Sequence, residues 1–152
     1  MPNPRFQQLI SIAMKQQKFH PERAQSLVEL AISLTIVVFL LSGVIEFGIA
    51  FFQFVQMQDA AQEGAVYGSI NPTDEAGIRS RVRAVVNDPF DLGITDGDII
   101  ITDNGGRCEG YAITVTINYD HLVTMPLIST ITGPTIPLHA SATDTILQPS
   151  CP

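Results

Sequence analysis

Tryptophan is absent, and the 152 residues hold only two cysteines, three histidines and three tyrosines. The histidines, His20, His121 and His139, stand at no metal-ligand spacing from one another or from the cysteines, which leaves no zinc-type site to expect. A glycine-rich phosphate loop, a nucleophile elbow and a zinc-protease helix motif are missing as well. No catalytic constellation is legible, so neither an enzyme nor a cofactor-binding protein is expected. Basic residues are scarce where they would matter for nucleic acid. From Asp59 onward four arginines face twelve acids, a net of −8. Such a surface has no cationic footprint with which to release counterions from phosphate, and nucleic acid is excluded as a partner.

What the chain has in excess is apolar length. Hydrophobic residues make up 45% of it and the mean hydropathy is +0.24, yet the excess is concentrated. Leu30 to Ile45 contains no charge and only two serines and one threonine, and Phe47, Ile49, Phe51, Phe52, Phe54 and Val55 continue the run past Glu46. A helix is predicted from about Ser26 to about Ser69. At 1.5 Å per residue its Leu27–Phe54 part extends roughly 40 Å, enough to cross a hydrocarbon core of about 30 Å. Before it, residues 1–24 carry Arg5, Lys15, Lys18 and Arg23 against Glu22, a net of +3. Basic residues ahead of an apolar span favour the cytoplasmic side, which puts the acidic remainder outside. Three parts follow: a basic cytoplasmic leader (1–24), a transmembrane helix (25–70) and a small extracytoplasmic domain (71–152).

Glu46 is expected toward the outer boundary, where a carboxylate reaches water or a neighbouring subunit. Gln53, Gln56, Gln58, Asp59 and Gln62 mark the helix leaving the membrane. Ala60, Gly64 and Gly68 then recur every four residues, with Ala61 and Ala65 beside them. Small residues at that spacing form a groove for a closely approaching backbone. Its occupant is either another subunit or the protein's own sheet, and the spacing does not choose between them.

Asn71-Pro72 stops the long helix. A shorter one is predicted next, with Asn71 or Thr73 as N-cap and Asp74 and Glu75 in the first turn. Ile78, Val82, Val85 and Val86 form its apolar face, and Arg79, Arg81 and Arg83 lie off it on a solvated side. From Gly93 the pattern turns to strands. Ile99-Ile100-Ile101 is a short apolar run, and Ile113, Val115, Ile117 and Tyr119 alternate with Thr114, Thr116 and Asn118. A last strand is expected over Ile136–Leu147, with Leu138, Ala140, Ala142 and Ile146 inward and His139, Ser141, Thr143 and Thr145 outward. Pro137 places the start of that strand at a sheet edge. Asn104-Gly105-Gly106 reads as the first turn, and Asp120–Thr135 as the second connection. The fold class is α+β: a long N-terminal transmembrane helix followed by a short helix and a small three-stranded antiparallel sheet.

Two clusters remain. Asp96-Gly97-Asp98 with Asp103 and Asn104 is the nearest approach to a calcium site. It lacks the alternating ligands that end in a bidentate glutamate, so acidic turn residues are expected and no metal. Cys108 and Cys151 are both in the external part. They form one disulfide if that part meets an oxidising compartment, or two free thiols if it is cytosolic. A bridge of this span stabilises by roughly 3–4 kcal/mol.

The most informative stretch is Arg23-Ala24-Gln25-Ser26-Leu27-Val28-Glu29-Leu30. A carboxylate at the mouth of an apolar helix is costly, by roughly 2.5–3.5 kcal/mol at mid-bilayer and less near the surface. Glu29 either snorkels to the headgroups or has a cationic partner. If the chain were cut between Ala24 and Gln25, the new α-amino group would lie four residues before Glu29 and could neutralise it, within the subunit or across to the next.

This arrangement resembles prepilin leaders: a basic segment, a small residue, a cut, and glutamate at the fifth mature position before an apolar run. More narrowly, residues 23–52 resemble the N-terminus of TadE-like proteins of tight-adherence (Flp-type) pilus systems, which read R-G-Q-S-x-V-E-F, an apolar run and an I-E-F-G-like element. Ile45-Glu46-Phe47-Gly48 supplies that element, and Ala60-Ala61-Gln62-Glu63-Gly64-Ala65-Val66 is similar to the family's A-A-x-E-G-A-R. Ala24 stands where the family has glycine, and Val66 where it has arginine. The resemblance implies a non-enzymatic minor pilin or pseudopilin. It would be cut by a prepilin peptidase between Ala24 and Gln25 and held in the cell membrane. It would assemble with other pilins and inner-membrane assembly proteins through Glu29, Glu46, Ala60, Gly64 and Gly68. The alternative is a secreted or anchored binding domain behind an ordinary signal sequence cut after Gly48-Ile49-Ala50, although the apolar run exceeds a usual signal core.

Overall fold

A computed structural model describes residues 21–87 and 91–151. Arg5, Lys15, Lys18 and His20 of the expected leader lie outside the described residues. The chain divides into two compact units, Met1–Leu40 and Leu41–Pro152.

The long helix, α1 (Pro21–Ile70), enters both units. It begins five residues before the predicted Ser26. Proline suits a first helical turn, where its missing N–H is an orphan donor anyway. Backbone helix therefore passes through Ala24 and Gln25 without a break. In the first unit every residue from Ala24 to Val38 is exposed, including Leu27, Leu30, Ile32, Leu34 and Ile36. One described helix, over Ala24–Ile70, is long and apolar enough to cross a membrane, and none of its most apolar window is buried by the protein. Thr35 turns its hydroxyl back onto the Ala31 carbonyl (2.8 Å), so the polar atom inside the run is satisfied within the helix.

In the second unit the C-terminal part of α1 becomes the wall of a core. Its Met57, Ala60, Ala61 and Ala65 are buried against Ile78, Val82 and Val86 of α2 (Glu75–Val86), and against the inner face of a sheet. The sheet contains β1 (Ile99–Asp103), β2 (Ala112–Leu122) and β3 (Thr135–Thr145) in the order β1-β2-β3, antiparallel throughout. Val115 pairs with Ile101 on one side and Ala142 on the other, and Ile117 with Ile99 and Ala140. The period of two therefore places Ile113, Val115 and Ile117 inward, and all three are fully buried. The expected α+β class and three-stranded sheet are both present, with β3 on an edge where Pro137 is tolerated.

Several expectations are corrected. Asp74 is the N-cap of α2 rather than a first-turn residue, accepting from the Gly77 amide at 2.9 Å. Residues 104–111 form a longer loop than a tight turn, which gives Cys108 room to reach Cys151 at a Cα separation of 5.1 Å. The connection after β2 contains a helix, α3 (Pro126–Thr132), and a one-turn 3-10 helix at Asp96–Asp98 leads directly into β1. The β-branched Ile128, Thr130, Ile131 and Thr132 are weak helix formers that leave α3 unmarked, and Pro126 at its first turn is the signal that marks its start.

Candidate functional site

Gln25, Glu29, Glu46 and the small-residue stripe all lie on α1, and each has a different environment. In the first unit the side-chain amide of Gln25 donates to Glu29 Oε1 at 3.1 Å, an i,i+4 pair on an exposed face. Glu29 thus has a neutral partner in the uncut chain.

Glu46 does not reach water or a neighbour, as the sequence suggested it would. It is 3% exposed, and four donors from one short segment surround it. Oε1 accepts from His121 Nε2 (3.0 Å) and the Thr124 amide (2.9 Å). Oε2 accepts from the Thr124 hydroxyl (2.9 Å) and the Met125 amide (3.2 Å). The other ring nitrogen of His121 pairs with the Gln53 side chain at 2.6 Å, two helical turns along from Glu46. His121 is itself 2% exposed. A carboxylate in an apolar setting is retained only when its lone pairs are filled, and here the end of β2 and the loop after it fill them. The consequence is positional: the carboxylate fastens residues 121–125 to α1, and with them α3, whose Ile128 lies against Gly43.

Gln56 and Gln58 beyond it also serve the domain rather than marking contact with water. Gln56 donates to the Val86 carbonyl (3.0 Å) at the end of α2, and Gln58 to the Ser141 carbonyl (3.0 Å) on β3. The stripe is occupied from within the chain. A Cβ at Gly64 would lie 2.6 Å from Val82 Cγ2, and one at Gly68 2.9 Å from Ile113 Cδ1, while Ala60 is fully buried. Of the two occupants open at the outset, the protein's own helix and sheet fill this groove, which leaves Ala60, Gly64 and Gly68 no face for another subunit in this conformation.

The acidic cluster is dispersed onto separate partners. Asp98 accepts from the Thr95 hydroxyl (2.6 Å) and amide (2.8 Å), which hold its carboxyl below the ordinary value. Asp96 pairs with Arg83, Asp103 with Arg107 (3.1 Å), and Asn104 accepts from the Ala112 amide (2.7 Å). Among the described residues no group of three or more His, Cys, Asp or Glu could hold a metal ion. The arginines of α2 are structural rather than merely solvated. Arg79 holds the Asp96 and Ile99 carbonyls, and Arg81 lies 5.2 Å from the Tyr67 ring centre. His139 is exposed on β3 and bonds Asn118 across the strand pair (2.7 Å).

What distinguishes α1 is therefore a long apolar surface with one acid at its entry and a second acid closed off by the domain. Residues 24–66 match the TadE-like protein family. This TadE-like segment is less than a third of the chain and runs from the Ala24–Gln25 bond through Glu29, Glu46 and Gly64. No curated protein and no solved structure matches the chain. The residues missed from sequence are His121, Gln53, Thr124 and Met125. Glu46 signalled a need for donors, but its partners lie 75–79 positions away and no local pattern names them.

Proposed function

We propose that this protein is a non-enzymatic minor pilin or pseudopilin, a membrane-anchored component of Flp-type (tight-adherence) pilus assembly. The observation that carries the reading is the run from Leu30 to Ile45. It is helical, free of charge and left largely uncovered by the other described residues, with Glu29 just before it. Apolar area of that extent needs a non-aqueous surrounding. Lipid supplies it before assembly and neighbouring helices supply it in a fibre, so the same surface serves both states. The TadE-like match over the same residues supports the assignment.

In this reading residues 1–24 are a cytoplasmic leader, 25–70 the anchor and assembly helix, and 71–152 an extracytoplasmic domain. A prepilin peptidase cuts between Ala24 and Gln25. The freed α-amino group then replaces the Gln25 amide as the partner of Glu29, exchanging a neutral hydrogen bond for a charge-assisted one. Partners are other pilins and inner-membrane assembly proteins.

N-terminal sequencing of the protein from cells with and without the peptidase tests this. A mature start at Gln25 that depends on the peptidase is expected. A start at Phe51 would instead support an ordinary signal sequence, and an unchanged N-terminus in both strains removes the pilin assignment.

A further inference from the structure

The segment after β2 is unusual in composition for the outside of a small acidic domain. From His121 to Thr143 there is no Asp, Glu, Lys or Arg. Val123 and Ala140 are buried, but three of its large apolar side chains stay outside the core: Leu122 is 62% exposed, Leu127 54% and Ile131 70%. Its polar groups, by contrast, are consumed internally. On α3 the Ser129 and Thr130 hydroxyls donate to the Pro126 carbonyl (2.9 Å each), and Thr132 donates to the Ile128 carbonyl (3.2 Å). The Thr124 and Met125 amides and the Thr124 hydroxyl are taken by Glu46, and the Val123 amide by the Pro134 carbonyl (3.0 Å). This surface exposes leucine and isoleucine while the hydroxyls of its Ser129, Thr130 and Thr132, although at the surface, already donate to carbonyls of their own helix, which lowers their need for water.

Its height along α1 is fixed. Glu46 holds residues 121–125 and Gly43 meets Ile128, so α3 lies beside the turns from Gly43 to Phe51. There α1 exposes Val44, Phe47 and Phe51. An apolar groove of ≈ 440 Å³ runs between them, lined by Phe47, Phe51 and Phe54 on one wall and by Ile128, Ile136 and Leu138 on the other. Its walls carry no charge except the occupied Glu46, whereas a second groove beside Ile45, Ile49 and Phe52 carries Asp91. Counting a span of about 20 residues from Leu27, at 1.5 Å each, ends the hydrocarbon core close to Glu46. The exposed face of α3 thus lies beside the exposed Val44, Phe47 and Phe51 of α1, at the residues where that count ends and acyl chains give way to headgroups.

We propose that α3 and its flanks, Leu122 to Ile136, form a second membrane contact, a short interfacial segment seated in the outer acyl–headgroup boundary with Leu122, Leu127 and Ile131 toward lipid. The occupant of this surface is the bilayer, not a protein. This rests on the reading of α1 as a membrane span. The consequence is that α3 and the Gly43–Phe51 turns of α1 meet the membrane together, with Glu46 as the internal strut between them.

The absence of tryptophan makes a direct test possible, because one introduced indole reports one site. The full chain carrying Ile131→Trp, Leu127→Trp, Val37→Trp or Ser80→Trp is reconstituted into phosphatidylcholine vesicles. It is compared with vesicles of the same lipid brominated near the top of the acyl chains. Positions 127, 131, 37 and 80 are exposed, so none of these variants disturbs packing. The indoles at 131 and 127 are expected to emit at shorter wavelength than that at 80 and to lose most of their intensity in brominated vesicles, while position 80 keeps it. If position 37 is quenched by lipid brominated deeper in the chain and positions 127 and 131 are not, the interfacial segment is wrong and the span stands. A blue shift at 131 without bromine quenching assigns the surface to a protein partner and overturns the proposal. Failure of quenching at 37 refutes the span and the proposal with it.

Discussion

Removing the Glu46 carboxylate tests whether residues 121–125, and with them α3, are held to α1 by this one group. In Glu46→Ala the His121 ring nitrogen, the Thr124 and Met125 amides and the Thr124 hydroxyl lose their acceptor together. Each orphaned donor costs about 1–3 kcal/mol where it stays dry. The Thr124 and Met125 donors border solvent, and water recovers part of their cost. His121, at 2% exposure, has no such recourse. The sum comes to about 3–5 kcal/mol, the size expected when one partner of a buried polar network is deleted. Against a whole-domain stability of about 5–15 kcal/mol, that is enough to open the 121–134 segment without unfolding the sheet. Glu46→Gln keeps the shape but points an NH₂ at one pair of donors, and should lose about half as much. Hydrogen exchange in detergent micelles reads the effect locally. The Thr124 and Met125 amides should lose protection by about 100-fold or more in Glu46→Ala, since each 1.4 kcal/mol is about tenfold. The Ile113–Ile117 amides in the middle of the sheet should change far less. Unchanged protection at 124 and 125 would refute the cradle as the device that fastens α3 to α1.

Four further perturbations separate the contacts of the domain from the role of the apolar helix. Gly64→Val forces its side chain into Val82 and should lower stability by about 1–3 kcal/mol in thermal melts. Gly48→Ala, with nothing within 4 Å, should be neutral or stabilise by up to about 1 kcal/mol, and equal melts for the two would refute the intramolecular filling of the stripe. Reducing the Cys108–Cys151 bridge, which closes 43 residues, should shift urea unfolding by roughly 3–4 kcal/mol. No shift on adding reductant would mean the bond is not formed. Asp98 and Asp74 have folded pKa values held below 3.8, by Thr95 in one case and by Gly77 and Tyr67 in the other. Their contribution is therefore full above that value and is lost as pH falls through the depressed folded pKa. Acid unfolding of Asp98→Asn should show a shallower dependence in that range than the parent, and an identical curve would contradict the Thr95 bonds. Glu29→Ala should leave membrane insertion intact but reduce pilus assembly, and a normal pilus yield would contradict the role of Glu29 in register.

What could be read from the residues alone was whatever depends on neighbours in sequence. The charge-free run, the helix stop at Asn71-Pro72 and the period of two through Ile113–Tyr119 are local patterns, and each fixed an element to within a few residues. What could not be read depends on contacts across the fold. Whether Gly64 and Gly68 faced a subunit or the protein's own core turned on where Val82 and Ile113 would land. The reading of Glu46 failed for the same reason, with one more step. An acid in an apolar helix states a demand for donors, and before folding is known the only donors in view are water and other subunits. The chain meets the demand from 75–79 residues away, with two backbone amides, a hydroxyl and an imidazole. None of these leaves a mark in a sequence, because amides belong to every residue but proline and a lone histidine has no spacing to report.

That difference bears on how the two acids of α1 divide the work. Glu29 is exposed and paired with an exposed amide, so its partner can be exchanged at little structural cost. Glu46 is enclosed by a segment whose hydrogen bonds depend on it, so its partner cannot be exchanged without releasing α3. In the proposed assembly only the first is free to change partners when a leader is removed or a neighbouring helix arrives. The second keeps residues 121–125 and α3 at a constant height along α1 while that happens. An apolar residue at position 46 could pack beside Phe47 and Phe51, but it would leave the same surface without any donor-specific register along the helix. A buried carboxylate fits one loop at one height.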